Sequence, residues 1–260
     1  MAEGVWWVGC GGWGGTPQIS EPGDANAFLV DCGGAAALID AGGHDRAPEI
    51  LANIARAGVE PKRVKAIFLT HAHHDHSAGA GWLRGRTGAK VYAGQLTARA
   101  LAEREPLLIG AMKPFAKPRF RRMAADRALA HGKSIEIGRV GFECIHTPGH
   151  TIDSCCFVAR TGGRRLLFSG DTLVGNQPRA DFGYTVRGML GWLDGHWGAS
   201  LSTYISTLRK LLKVRPSMLL PGHGIPNDPR TTADSIRVGI RKLERIIKDR
   251  ELHLMLAIEG

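Results

Sequence analysis

The chain is short of cysteine, of long apolar runs and of acidic charge, and each shortage removes a class of protein. Its five cysteines, Cys10, Cys32, Cys144, Cys155 and Cys156, are odd in number and form no CxxC pair. They outline no disulfide framework, and none stands in a metal-binding motif. Cys144, Cys155 and Cys156 lie in apolar, strand-like stretches and read as reduced, buried thiols of a cytoplasmic protein. No apolar stretch approaches the ~20 residues that a membrane helix needs. Residues Met1 to Cys10 lack a basic stretch followed by a long apolar one, so no secretory leader is expected. Repeats, low-complexity tracts and obvious linkers are also missing. Acidic residues number 24 against 34 basic ones, a net charge of +10. Such a balance favours acidic substrates, nucleic acid or membrane surfaces. Much of it is local, however. Lys113, Lys117, Arg119, Arg121, Arg122 and Arg127 face Asp126 alone within one segment, which reads as a solvated surface.

What remains is ordinary for a globular protein. Apolar residues make up 43% of the 260 and charged residues 22%. A chain of this length can bury about 70–75% of its unfolded surface. Phe28–Val30 and Ala35–Ile39 read as paired strands about a Gly-Gly turn. A helix fits Pro48–Ala57, with Ile50, Leu51 and Ile54 on one face. Ala66–Leu69 is a short buried strand. A helix follows from Ser77, then a strand over Gly88–Tyr92 and a helix over Gln95–Glu105. Residues 106–122, broken by Pro106, Pro114 and Pro118, read as a surface excursion and a candidate lid. Strands are expected at Ser134–Ile137, Gly141–His146, Cys155–Ala159 and Arg164–Phe168, and irregular structure over 176–198. Leu201, Tyr204, Ile205, Leu208, Leu211 and Leu212 mark an amphipathic helix. A strand at Ser217–Leu220 precedes a last helix marked by Ile236, Ile240, Leu243, Ile246 and Ile247.

The densest chemistry lies in His71-Ala-His73-His74-Asp75-His76, directly after the Ala66–Leu69 strand. Imidazole nitrogens and carboxylate oxygens suit zinc and similar divalent ions. A structural loop has no reason to concentrate groups that are costly to bury unpaired. His150 in Thr-Pro-Gly-His-Thr, Asp171 in Ser-Gly-Asp-Thr and His223 in Pro-Gly-His-Gly also follow apolar segments, so each can sit at a strand end. Leaving His74 aside, that makes seven candidate ligands, enough for two ions. They run from residue 71 to 223, so one domain spanning 1–260 is the simplest organisation.

These motifs carry a family resemblance. Thr70-His-Ala-His-His-Asp-His76 resembles the HxHxDH signature of the metallo-β-lactamase-fold hydrolases, a group that includes glyoxalase II, lactonases and β-lactamases. The other three motifs match in the same order, and Leu38-Ile-Asp40-Ala-Gly resembles that family's early strand-end aspartate. The resemblance covers roughly residues 27 to 250. It implies an α/β architecture, a four-layer αββα sandwich of two mixed β-sheets with helices on the outer faces. It also implies that His71, His73 and His150 bind one metal, that Asp75, His76 and His223 bind a second, and that Asp171 bridges them. Asp40 would orient ligands by hydrogen bonding. His74 occupies a variable position of the signature and is left out. His44, His131, His196 and His253 stand in no motif.

The implied cofactor is a pair of Zn2+ ions, with iron or manganese as alternatives. The implied activity is hydrolysis of a carboxylic ester, thioester or lactone by a hydroxide bridging the two ions, with Asp75 as the catalytic proton carrier and β-lactams as a side activity. Two such ions ~3.5–4 Å apart bring the pKa of a trapped water from ~15.7 towards ~7. The tyrosine that acyl-homoserine lactonases place after the bridging aspartate is absent, Thr172-Leu-Val-Gly standing there. The residues after Asp171 bear a thin similarity to glyoxalase II-like thioesterases, with Val174 where those have Phe. Ala78–Leu83 and Thr87–Tyr92 are similar to the histidine-rich β-lactamases, but those usually carry a serine at the position of Asp171.

Two other activities use the same ligand pattern. One is a phosphodiesterase or ribonuclease, which the basic segment Lys113 to Arg127 would suit. No RNA-binding aromatic motif interleaves with it, so a small-molecule substrate is favoured over nucleic acid. The other is a persulfide dioxygenase with one iron on His71, His150 and Asp171. No membrane partner is expected, and a homo-oligomer is left open. The pocket wall is expected from Phe182, Tyr184, Trp192 and His196.

Overall fold

The computed structural model describes residues 1–106, 108–109, 121–179, 184–186, 188–191, 198 and 200–258. Six strands form the first sheet, in the order β1 (Val5–Gly9), β2 (Ala27–Asp31), β3 (Ala36–Ile39), β4 (Val64–Leu69), β5 (Lys90–Gly94) and β6 (Arg127–Leu129). The first three pair antiparallel, and β3 to β6 pair parallel. The second sheet has β7 (Ser134–Ile137), β8 (Val140–His146), β9 (Cys155–Thr161), β10 (Arg164–Gly170) and β13 (Met218–Pro221). Its order is β13-β10-β9-β8-β7, with only β10 and β13 parallel. A small ribbon pairs β11 (Gln177–Arg179) with β12 (Tyr184–Val186). The helices are α1 (Pro48–Arg56), α2 (His74–Ser77), α3 (Ala80–Thr87), α4 (Gln95–Glu103), α5 (Leu201–Val214) and α6 (Pro229–Ile258).

Side-chain alternation explains the layering. Successive residues of a strand point to opposite faces, so a strand covered on both sides reads as a continuous apolar run. In β4, Ala66 and Phe68 point to the space between the sheets, while Ile67 and Leu69 point to the helices. Likewise Cys155, Phe157 and Ala159 of β9 face inward and Cys156 and Val158 outward. Three apolar clusters result. One lies under α1, α3 and α4, one between the sheets, and one under α5 and α6. Phe68 ties the sheets together, its ring 4.7 Å from Phe142 and 5.0 Å from Phe157. This is the four-layer sandwich with two mixed sheets.

The expected elements are present with shifted ends. Two short strands, β1 and β6, had no counterpart in the sequence reading. The helix expected from Ser77 begins earlier, as the single turn α2, and resumes at Ala80. Within the stretch expected to be irregular, β11 and β12 form a ribbon. Ile246 is exposed, whereas Ile236, Ile240 and Leu243 are buried as expected. All five cysteines are free and buried. Among the basic residues, Arg121, Arg122 and Arg127 are exposed, while Lys113, Lys117 and Arg119, with 107 and 110–120 of the candidate lid at 106–122, lie outside the described residues. No helix among the described residues is long and apolar enough to cross a membrane.

Candidate metal centre

The seven side chains converge on one rim of the sandwich. β3, β4, β8, β10 and β13 all end there, and the loops beyond them carry Asp40, His71 to His76, His150, Asp171 and His223. The two sheets are joined at this rim by Cys155 N–H donating to Thr70 O (2.8 Å) and Asn26 N–H donating to Gly222 O (2.6 Å). His71 and His73 follow β4 two residues apart, which in extended chain puts them on one side. The turn α2 then swings Asp75 and His76 to a second side.

Ligand atoms of His71, His73, His150 and Asp171 lie within 4.8 Å of one another, and those of Asp75, His76 and His223 form a second such group. His150 Nε2 is 3.1 Å from His73 Nδ1. His223 Nε2 is 3.1 Å from Asp75 Oδ2. Asp171 touches both groups: its Oδ1 is 3.3 Å from His76 Nε2, and its Oδ2 is 3.6 Å from His150 Nε2 and 3.6 Å from His223 Nε2. Nitrogens on a tetrahedral zinc stand about 3.3 Å apart, given Zn–N bonds of ~2.0–2.1 Å. His71 Nε2, His76 Nε2 and Asp171 Oδ1 are buried without a hydrogen-bond partner. Buried polar atoms are rarely left so, and a cation at each of the two clusters is a partner that would satisfy them. The residues fit a metal site.

Electrostatics point the same way for His71, His73, Asp75 and Asp171. Burial, then the neighbouring imidazoles, hold His71 well below the usual histidine range. Burial and His150 bring His73 down to about 3. Both rings are therefore neutral at physiological pH and keep a lone pair for a cation. Burial works against ionisation of Asp75, but His76 and His223 outweigh it and hold the carboxyl well below its usual range. Asp171 is lowered in the same way, burial being outweighed by His223 and His76. In His76, burial is outweighed by Asp75, Asp171 and Asp40, which raise it.

Asp40 sits where the sequence placed it. Its backbone is left-handed, with φ 59°. Thr70 N–H donates to its Oδ1 (2.9 Å), and Oδ2 lies 2.8 Å from His76 Nδ1. Holding Nδ1 leaves Nε2 of that ring for the site.

Three supporting residues escaped the sequence reading. Asn26 Nδ2 donates to Pro221 O and Gly224 O, both at 2.9 Å, clamping the His223 turn from across the chain. Asp153 Oδ2 accepts Ala72 N–H (2.8 Å) between the first two histidines. Tyr204 of α5 donates to Thr172 O (2.6 Å) and accepts Gly191 N–H (3.2 Å), bracing the loop after Asp171. Asn26 offered no local signal beyond a polar residue before a strand, and Tyr204 read only as an apolar helix position. Asn26→Ala leaves two buried carbonyls unpaired and is expected to cost about 2–4 kcal/mol of stability. A urea midpoint equal to that of the parent would show that the clamp carries no load.

A cavity of about 310 Å³ opens over the cluster. His73, Asp75, His150, Asp171 and His223 form its floor, and Trp13, Val174, Met189 and Leu190 its walls. His74, set aside in the sequence, lines it as well. Of the residues expected to form the wall, Phe182, Trp192 and His196 lie outside the described residues, as does the side chain of Tyr184.

The sequence matches the model of the metallo-beta-lactamase superfamily over residues 20–223. The chain belongs to this superfamily. Among curated members, it is 25% identical over 238 residues to the thioesterase pkgB of Emericella nidulans, covering 90% of this chain and 55% of that protein. It is 28% identical over 211 residues to a hydroxyacylglutathione hydrolase of Polaromonas sp., covering 79% and 64%. The chain thus spans between about half and two-thirds of the length of these superfamily relatives. A subclass B3 metallo-beta-lactamase of Bradyrhizobium japonicum shares the fold, with a TM-score of 0.67 at 20% identity over 98% of this chain and 93% of that one.

Proposed function

We propose that the protein is a dinuclear zinc hydrolase that cleaves a carboxylic ester, thioester or lactone. The observation that carries this reading is the convergence of seven imidazole and carboxylate side chains in two adjoining clusters, five of them on the floor of one cavity. In this reading His71, His73 and His150 hold one ion, Asp75, His76 and His223 hold the other, and Asp171 reaches both. The relatives named thioesterase and hydroxyacylglutathione hydrolase support a thioester or related acyl bond. The whole chain, 1–260, serves this site as one domain in the cytoplasm, acting on a small molecule.

When bound, a pair of divalent cations supplies a water acidified to near-neutral pKa and a Lewis acid at the acyl oxygen. The chain's own residues set up that chemistry. Asp40 fixes the ring of His76 through Nδ1, and Asp153 fixes the backbone between His71 and His73. Asp75 turns Oδ2 to His76 and His223, which leaves Oδ1 to carry a proton to the leaving group.

The test is a panel of p-nitrophenyl ester, thioester, lactone, phosphodiester and cephalosporin substrates, with metal content measured on the same sample. Two zincs per chain with acyl-bond cleavage is the expected result; one iron with oxygen uptake would overturn it. Chelation is expected to abolish turnover and to lower the melting temperature by roughly 5–15 °C, because a tightly held cation contributes about 3–4 kcal/mol. Zinc should restore both. A chelated protein that melts and turns over like the parent would rule out the metal centre.

A further inference from the structure

We propose that the cavity over the centre seats a neutral, apolar acyl group, so that the substrates are esters or thioesters of medium-length aliphatic or aryl acids, and that Trp13 selects them. This rests on the hydrolase reading above. Water adds to the acyl carbon and the C–O or C–S bond breaks; the hydroxyl goes to the acid and the proton to the alcohol or thiol.

The walls differ from the floor. Trp13 is the most exposed large apolar side chain among the described residues, at 58%. It stands at the cavity mouth with its ring 5.1 Å from that of His223. An exposed tryptophan gains from any apolar group that covers it, and its flat ring does so with little loss of freedom. The turn beneath it is fixed. Thr16 Oγ1 donates to Trp13 O (2.6 Å), Cys10 Sγ donates to Thr16 Oγ1 (3.1 Å), and Gly11 N–H donates to Asp24 O (2.9 Å). The same turn packs against β11, just beyond the bridging aspartate.

The facing wall is Val174, Met189 and Leu190, braced by Val174 N–H donating to Met189 O (2.9 Å) and Gly191 N–H donating to Asp171 O (3.0 Å). Methionine and leucine adapt to linear or ring-shaped apolar groups. Among the described lining residues there is no lysine or arginine, in a chain of net charge +10. A carboxylate or phosphate on the acyl part would find no cation on these walls. A volume of about 310 Å³ holds roughly ten water-sized groups, which suits a chain of six to eight carbons or a substituted benzoyl group.

The experiment measures kcat/KM on zinc-loaded protein for p-nitrophenyl esters from acetyl to dodecanoyl, and for acetyl esters of varied alcohols. The expected result is a rise of about four-fold per acyl methylene, levelling near octanoyl. Trp13→Ala should lower the octanoyl value on the order of ten-fold more than the acetyl value, through KM, and Trp13→Phe should recover most of the difference. A flat acyl series, a preference that follows the alcohol instead, or equal losses for acetyl and octanoyl in Trp13→Ala would each overturn the proposal while leaving the hydrolase reading in place. Calorimetry with the uncleaved amides octanamide and acetamide separates the opposite case. Octanamide binding that Trp13→Ala weakens about ten-fold, in a protein that cleaves none of the esters, would keep the apolar pocket and remove the hydrolase.

Discussion

Asp171→Ala abolishes turnover, with a fall in kcat/KM on the order of 10³-fold or more, and the protein keeps its fold. The expectation follows from position. The carboxylate lies 3.3–3.6 Å from His76, His150 and His223, so it is the one group shared by both ligand sets. On the two-ion reading its loss would withdraw a negative charge from both cations, and Lewis-acid assistance of several kcal/mol would go with them. The main chain should hold, because Tyr204 and Gly191 anchor the backbone of this loop and not its carboxylate. Steady-state kinetics, metal analysis by mass spectrometry and circular dichroism on one preparation make the check. His71→Ala should behave alike, though it strips only the first set directly. Either variant working at the parent rate would disprove the ligand assignment.

A second large effect is expected from one methyl group. Gly222 lies in the turn before His223, where its N–H donates to Gly170 O (2.8 Å). Its backbone does not need glycine's left-handed freedom, so alanine is not excluded by conformation. Space excludes it: a Cβ there would strike His76 Cε1, stand 2.5 Å from Asp171 Oδ1 and 3.0 Å from the Gly170 carbonyl carbon. Two ligands must move, and a displacement near 1 Å is enough for a loss of about 10²-fold. Gly222→Ala is therefore expected to lose at least that much activity together with bound metal. Gly141→Ala in β8 is the control, since a Cβ there meets nothing within 4 Å. Equal activity of the two variants would mean that the floor of the site is looser than described.

The contrast between what could be read in the sequence and what could not follows the range of the interactions. β4 was legible because burial on both faces makes its Ala66–Leu69 run apolar. The clustering of these imidazoles and carboxylates was legible because metal chemistry restricts residue types and because the motifs fall at strand ends. Asp40 came through as part of a motif, and its left-handed backbone and grip on His76 then gave it a physical role. Asn26 was not legible, since its partners stand 195 and 198 residues away and nothing near it signals them. Trp13 lay hidden for the same reason: a tryptophan among glycines gives no hint that the chain brings it beside His223. β1 holds two tryptophans in a short apolar stretch, which periodicity alone cannot assign to a strand. The expectation about Phe182, Tyr184, Trp192 and His196 stands as a proposal about the wall.

Floor and one wall of the cavity are written in different parts of the chain. The floor groups lie on loops just past strand ends and on α2, and Val174, Met189 and Leu190 share the stretch after β10 with Asp171, whereas Trp13 belongs to a separate turn upstream of β2. On the hydrolase reading, change at Trp13 would redraw the preference for one acid over another while the residues of the floor stay as they are. Grafting a foreign turn between β1 and β2 is the economical route to a new specificity on this scaffold.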